Sequence, residues 1–168
     1  MKVLRIPPPN PKQALFLKAA TKHVGFGGAR GGGKSWAVRV KAELLALRYP
    51  GIRILIVRRT YEELRQNHIQ QMRVDLNGIA RYNKTEKRFS FPNSSIIQFG
   101  YCAKDTDLDR YQGAEYDVIF LDEATQLSEH QMQTITACVR GVNDFPKRIY
   151  YTCNPGGQGN QYIKRLFI

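Results

Sequence analysis

The chain has 168 residues, 42% of them hydrophobic, and a formal net charge of +12. That length suits one domain with its own core, and no apolar run approaches the ~20 residues that cross a bilayer, so no membrane partner is expected. The N-terminal run Met1-Lys2-Val3-Leu4-Arg5-Ile6-Pro7 has no signal-peptide core. Cys102, Cys138 and Cys153 lie far apart with no C-x-x-C pair, an odd and sparse set that argues for reduced thiols in a cytoplasmic compartment and against a zinc site. The positive balance favours a polyanionic partner through counterion release. The basic residues are dispersed, as in Arg58-Arg59, Lys84, Lys87-Arg88, Lys147-Arg148 and Lys164-Arg165, and form no basic tail, so charge alone also fits an ordinary basic surface.

Asn10 and Pro11 read as the N-cap and first residue of a helix reaching about Thr21. Val24 to Gly27 reads as a short buried strand. Trp36 to Arg48 has the apolar spacing of an amphipathic helix. Ile52 to Val57 is a second buried strand. Thr60-Tyr61-Glu62-Glu63 is a capping box that opens a long helix to about Ala80. Phe89 to Phe91 and Ser95 to Gly100 flank Pro92-Asn93-Ser94 and predict a β-hairpin. Asp117 to Leu121 is a further buried strand. Ser128 to Gln131 is a second capping box, starting a helix to about Val139. Lys147 to Cys153 is another strand, and the run Gln161 to Phe167 places Ile168 in or just past a helix. Strands alternating with helices imply a mainly parallel sheet covered on both faces. Ligands gather at the carboxyl ends of such strands.

Between the first strand and its helix lies Gly28-Ala29-Arg30-Gly31-Gly32-Gly33-Lys34-Ser35, which fits G-x-x-x-x-G-K-[ST]. Glycines let successive backbone N–H groups converge on phosphate oxygens. Lys34 is placed to reach the β- and γ-phosphates, and the Ser35 hydroxyl to ligate Mg²⁺. The following helix adds its positive N-terminal dipole. Strand, loop and helix in that order are the setting a phosphate loop requires.

Asp122-Glu123 follows the apolar run Val118 to Leu121 directly, the Walker B arrangement. Asp122 is placed to hold Mg²⁺, directly or through water. Glu123 is placed to orient and deprotonate a water near the γ-phosphate. That second carboxylate points to hydrolysis rather than to kinase chemistry. Thr152-Cys153-Asn154-Pro155-Gly156-Gly157 ends the next strand in polar groups. In an additional-strand P-loop fold this strand inserts between the Walker B strand and the phosphate-loop strand. Thr152 and Asn154 then face the γ-phosphate, although Asn-Pro and Gly-Gly are also plain turn formers.

Together these features resemble the ATPase domain of phage terminase large subunits, over nearly the whole chain. Pro11-Lys12-Gln13 is similar to the family's adenine-recognition element, which implies that Gln13 reads the adenine edge. Ile56 to Tyr61 and on to Arg65 is similar to the segment after the family's second strand, and Arg58 and Arg59 read there as interface or structural residues. Tyr111 to Asp117, leading to Leu121-Asp122-Glu123-Ala124, is similar to the family's run into Walker B. Thr152 to Pro155 resembles the coupling motif.

The resemblance implies a three-layer α/β P-loop NTPase of the RecA-like, additional-strand type, with a β-hairpin insertion. It implies Mg²⁺-dependent ATP hydrolysis that moves double-stranded DNA into a procapsid, in the cytoplasm of an infected bacterial host. Glu123 and Lys34 would act in catalysis, residues 28–35 and Gln13 in nucleotide binding, Ser35 and Asp122 on the metal, and Thr152 and Asn154 in coupling. Implied partners are the portal, the small terminase subunit and further copies in a ring, the isolated chain being a monomer. An arginine is expected at the γ-phosphate, either Arg30 in cis or Arg110 reaching a neighbouring subunit. A RecA-like helicase or remodelling ATPase, and a nucleotide-gated DNA-binding module without turnover, share parts of the pattern. The family also carries a metal-dependent nuclease domain, whose carboxylate cluster is not found here, and its sheet is expected to add a strand beyond Ile168. Residues 1–168 therefore read as an ATPase domain truncated at its C-terminal end.

Overall fold

A computed structural model describes residues 2–28, 33–141 and 143–168. Ala29, Arg30, Gly31 and Gly32 of the phosphate loop fall outside the described residues.

The strands are β1 (His23–Gly27), β2 (Arg53–Arg58), β3 (Arg81–Asn83), β4 (Arg88–Ser90), β5 (Ile96–Tyr101), β6 (Val118–Leu121) and β7 (Arg148–Cys153). They form one sheet in the order β1-β7-β6-β2-β5-β4-β3. β1, β7, β6, β2 and β5 are mutually parallel, and β4 and β3 extend the β5 edge in antiparallel register. β7 lies between β1 and β6, the insertion expected of the additional-strand fold.

The helices are α1 (Pro11–Lys18), α2 (Lys34–Arg48), α3 (Tyr61–Leu64), α4 (Gln70–Asp75), α5 (Glu129–Thr136) and α6 (Asn160–Phe167). Alternate residues along the strands feed two cores. Ile54, Ile56, Val118, Phe120 and Tyr150 join Val38, Leu45, Leu64 and Met72 on one face. Leu55, Val57, Ile119, Leu121 and Tyr151 join Met132, Ile135 and Ile163 on the other. Strands buried on both sides read as continuous apolar runs, which is why β2 and β6 were legible without alternation. Phe120 stacks on Tyr150 at a centroid distance of 4.8 Å.

Several elements depart from the sequence reading: α1 stops at Lys18 and α5 at Thr136, short of the expected Thr21 and Val139. The helix expected from Thr60 to Ala80 ends at Asp75 and is interrupted by a π-helical turn over Arg65–Ile69. The hairpin is present, but its second strand, β5, belongs to the parallel part of the sheet through β2, and Arg81–Asn83 adds a strand that the sequence reading lacked. Three residues are too short a run for alternation to register. Tyr82, Phe89 and Phe99 pack together beneath this hairpin.

The sheet ends differ in chemistry. At the amino end of β6, buried Asp117 accepts from the Arg53 N–H at 2.9 Å and pairs with Lys147 at 2.8 Å. At the carboxyl ends of the parallel strands lie Gly28, Arg58, Asp122 and Cys153, each at or just beyond the end of its strand. The candidate site is there.

Candidate active site

Gly33 precedes α2 with φ +72, a left-handed conformation that favours glycine, and a Cβ there would push the Gln13 amide aside. Lys34 and Ser35 open α2 immediately after it. Lys34 is buried, and its Nζ donates to the Gly28 carbonyl at 3.2 Å, which folds the ammonium back across the loop. Gln13 is committed at both ends of its amide. Its Oε1 accepts from the Asn10 N–H at 2.9 Å in a capping box, and its Nε2 donates to the Gly33 carbonyl at 3.1 Å. It thus ties the start of α1 to the end of the phosphate loop.

Asp122 is the hub. Its Oδ2 accepts from Ser35 Oγ at 3.0 Å, Arg58 Nη1 at 3.0 Å and His68 Nε2 at 2.7 Å. Its Oδ1 accepts from Thr152 Oγ1 at 2.5 Å. Burial by itself pushes this carboxyl up; the hydrogen bond from His68, the Arg58 guanidinium and the Thr152 hydroxyl outweigh it and hold Asp122 well below the usual carboxylate range. Burial likewise holds the fully enclosed His68 below the ordinary imidazole value, against the pull of Asp122. The pair is therefore an ionised carboxylate and an imidazole whose Nε2–H donates.

Glu123 follows with φ 55 and ψ 49, a left-handed conformation that a non-glycine residue rarely holds and that concentrates at functional sites. The turn swings its carboxylate away from Asp122 toward β7. There Asn154 Nδ2 donates to Oε1 at 3.0 Å and Oε2 at 3.2 Å, and Arg58 Nη1 stands 3.9 Å from Oε1. Thr152 Oγ1 accepts the Glu123 N–H at 3.1 Å while donating to Asp122, so one hydroxyl bridges both acidic residues. The β7 tip packs closely on the turn after Glu123: at Gly157, φ +94, a Cβ would meet the Thr125 carbonyl at 2.4 Å.

A cavity of about 560 Å³ is lined by Lys34, Ser35, Arg39, Arg58, Glu123 and Asn154, among others, with Asp122 buried behind Ser35. Among the described residues no three His, Cys, Asp or Glu side chains cluster as a metal cage. The Ser35 hydroxyl and the Asp122 carboxylate, 3.0 Å apart, are instead the sparse hard-oxygen pair that suits Mg²⁺ completed by phosphates and water.

The structure thus gathers Lys34, Ser35, Asp122, Glu123, Thr152 and Asn154, with Gln13 at the loop's flank. Arg110 is not on the cavity. It lies on a 3₁₀ turn, its guanidinium 3.9 Å over the Tyr101 ring and donating to the Tyr101 hydroxyl at 2.9 Å. Arg58, which the sequence suggested was structural or at an interface, lines the cavity and touches both acids. Its place as the last residue of a central parallel strand was the available signal. His68 and Asn67 were not anticipated. Both lie on the π-helical turn, and the Asn67 carbonyl accepts from Arg39 at 2.5 Å.

A parallel sheet with the inserted strand β7, a phosphate loop between β1 and α2, and an acidic pair ending β6 define a RecA-like P-loop NTPase fold. Residues 20–168 match the phage terminase large subunit family, and the chain belongs to it. No curated protein sequence shows a match. Among solved structures, the large terminase of a thermophilic bacteriophage superposes with a TM-score of 0.77 at 18% identity, over 95% of this chain and 43% of that one. The bacteriophage HK97 large terminase gives 0.69 at 15% identity, over 94% of this chain and 36% of that one. The ATPase domain of the Thermus phage P74-26 large terminase gives 0.63 at 19% identity, over 89% and 67%. The chain therefore spans less than half the length of the first two. No helix among the described residues is long and apolar enough to cross a membrane.

Proposed function

We propose that this chain is the ATP-hydrolysing part of a motor that packages double-stranded viral DNA into a procapsid. The observation that carries the reading is the convergence of Lys34, Ser35 and Glu123 on one cavity, with Asp122 bonded to Ser35 behind it and both acids tied to the tip of β7. The large terminase of the thermophilic phage has been seen with ATP-γ-S and with ADP, which supports a nucleotide as the occupant.

Lys34 neutralises phosphate charge, and the backbone N–H groups of the loop cradle the phosphates. Ser35 and Asp122 would hold Mg²⁺, which would supply further positive charge to the phosphates. Glu123 orients a water and accepts its proton. Its backbone turn and the Asn154 amide fix the direction of that carboxylate. Asn154 and Thr152 belong to the same strand end, so a change at the phosphates that moves Glu123 must move β7. That strand is the coupling element. Its tip passes directly into the turn before α6, over the carbonyls of Thr125 and Leu127. The net charge of +12 favours the DNA partner. An arginine from the loop, Arg30, or from a neighbour's surface, Arg110, completes the charge around the departing phosphate.

The test is phosphate release by the full-length protein with DNA and procapsids. Multiple turnovers dependent on Mg²⁺ and on Lys34 are expected. Nucleotide binding without phosphate release would overturn hydrolysis and leave a nucleotide-gated module.

A further inference from the structure

The feature that the proposed chemistry leaves unexplained is the π-helical turn. Arg65–Ile69 interrupts an otherwise regular helix, with the Gln70 N–H bonding to the Arg65 carbonyl. Such an insertion disturbs the regular hydrogen bonding and is frequent at functional sites. Here it delivers one side chain to the acidic hub. His68 is wholly buried, its Nε2 is 2.7 Å from Asp122 Oδ2, and its Nδ1 has no partner. Burying a half-satisfied imidazole is unfavourable, and an apolar residue in the same space would avoid the cost.

The donor geometry says what His68 does. A Ser35 hydroxyl that faced a metal through its lone pairs would share itself between that metal and Asp122. The other three donors that orient the Asp122 carboxylate are Arg58 and His68 on Oδ2 and Thr152 on Oδ1. Arg58 is shared with Glu123 at 3.9 Å, and Thr152 is shared with the Glu123 N–H. Of these three, His68 alone makes its hydrogen bond to Asp122 and none to Glu123. It also does not line the cavity, so it holds the carboxylate without competing for the nucleotide.

We propose that His68 is a positioning residue that orients the Asp122 carboxylate for Mg²⁺, and that the π-helical turn serves to bring it there. The inference rests on the reading of Ser35 and Asp122 as the metal site. It also gives the segment between β2 and β3 a direct link to metal occupancy, separate from the β7 link through Thr152.

The experiment is a binding titration with a fluorescent ATP analogue, in chelator and across a Mg²⁺ series, with no turnover required. Outer-shell partners of metal ligands typically contribute 10–100-fold in metal affinity. His68→Leu should therefore raise the Mg²⁺ midpoint by about 10-fold or more while leaving binding in chelator unchanged. His68→Gln, which keeps a donor, should recover most of the loss. His68→Asn, polar but too short to reach Oδ2, is the second variant should the leucine not fold, and should behave like it. A wild-type Mg²⁺ midpoint in either Leu or Asn overturns the proposal. So does an equal loss with and without metal, which would mark a merely structural residue. A wild-type chain that binds nucleotide with no Mg²⁺ dependence overturns the metal site itself.

Discussion

Asn154 Nδ2 donates to both carboxylate oxygens of Glu123, at 3.0 and 3.2 Å, across the gap between β7 and the turn after β6. The carboxylate that would activate water is thus aimed by the neighbouring strand. Asn154→Ala should lower kcat by about tenfold, the worth of one charge-assisted hydrogen bond, with nucleotide affinity unchanged. Steady-state phosphate release paired with equilibrium binding checks it. Loss of binding with kcat preserved would mean that Asn154 serves the nucleotide and not Glu123.

Thr152 is predicted to behave differently from Asn154. Its hydroxyl joins Asp122 Oδ1 to the Glu123 N–H. Thr152→Val keeps the shape but leaves both groups unpaired in a buried place, at about 1–3 kcal/mol each. A drop in Tm together with lost turnover is expected, whereas Thr152→Ser should retain most of both. Thermal melts and phosphate release on the two variants decide.

The opposite end of the sheet separates stability from function. Asp117 is buried, pairs with Lys147, and accepts from the Arg53 N–H and from Asn143. Asp117→Ala should cost about 2–4 kcal/mol of stability and leave nucleotide affinity intact at temperatures where the chain is folded. Denaturant unfolding and binding measured side by side check it.

Glu43 gives a pH signature. Burial, reinforced by Asp75 and opposed by Arg39, pushes its carboxyl up from 4.5 to about 8, and Oε1 has no partner. The unfolded chain gives up this proton near 4.5 and the folded chain only near 8, so folding stability falls as pH rises through that window and is constant above it. Glu43→Gln removes the penalty. Its Tm gain over wild type should be least below pH 4.5, grow to about pH 8 and then level off. A gain independent of pH would contradict the shift.

The two arginines are separable. Arg110 is held on Tyr101 away from its own cavity. As a residue acting on a neighbour, Arg110→Ala should cut assembled turnover by about 10³-fold or more and leave the basal rate of an unassembled chain unchanged. Arg30→Ala should cut both. Comparing basal and procapsid-stimulated rates distinguishes them.

The parallel core was legible because β2, β6 and β7 are apolar runs bounded by turn residues, and their order followed from where the phosphate loop and the acidic pair fall. Glu123 is legible at the site because it follows a strand beside the loop, whereas Asn154 is legible there only through the family resemblance, since Asn-Pro and Gly-Gly are also plain turn formers. Arg58 is not legible as a site residue, since a basic residue at a strand end looks like an ordinary solvated charge until β6 is placed beside β2. His68 was not readable at all. The buried positions Leu64, His68, Ile69, Met72 and Leu76 still suit a helix, and nothing in a 3.6-residue period reveals one turn opened to five. Gln13 was read for adenine; the structure shows its amide already spent on Asn10 and Gly33, so it would have to leave both to reach a base.

The central claim is that Glu123 is the base of an ATPase. Glu123→Gln keeps the volume and the hydrogen-bonding reach toward Asn154 but removes the proton acceptor. Single-turnover phosphate release from bound ATP, measured beside equilibrium binding, should show wild-type affinity and a rate lowered by about 10²–10⁴-fold. Release at the wild-type rate would contradict the account.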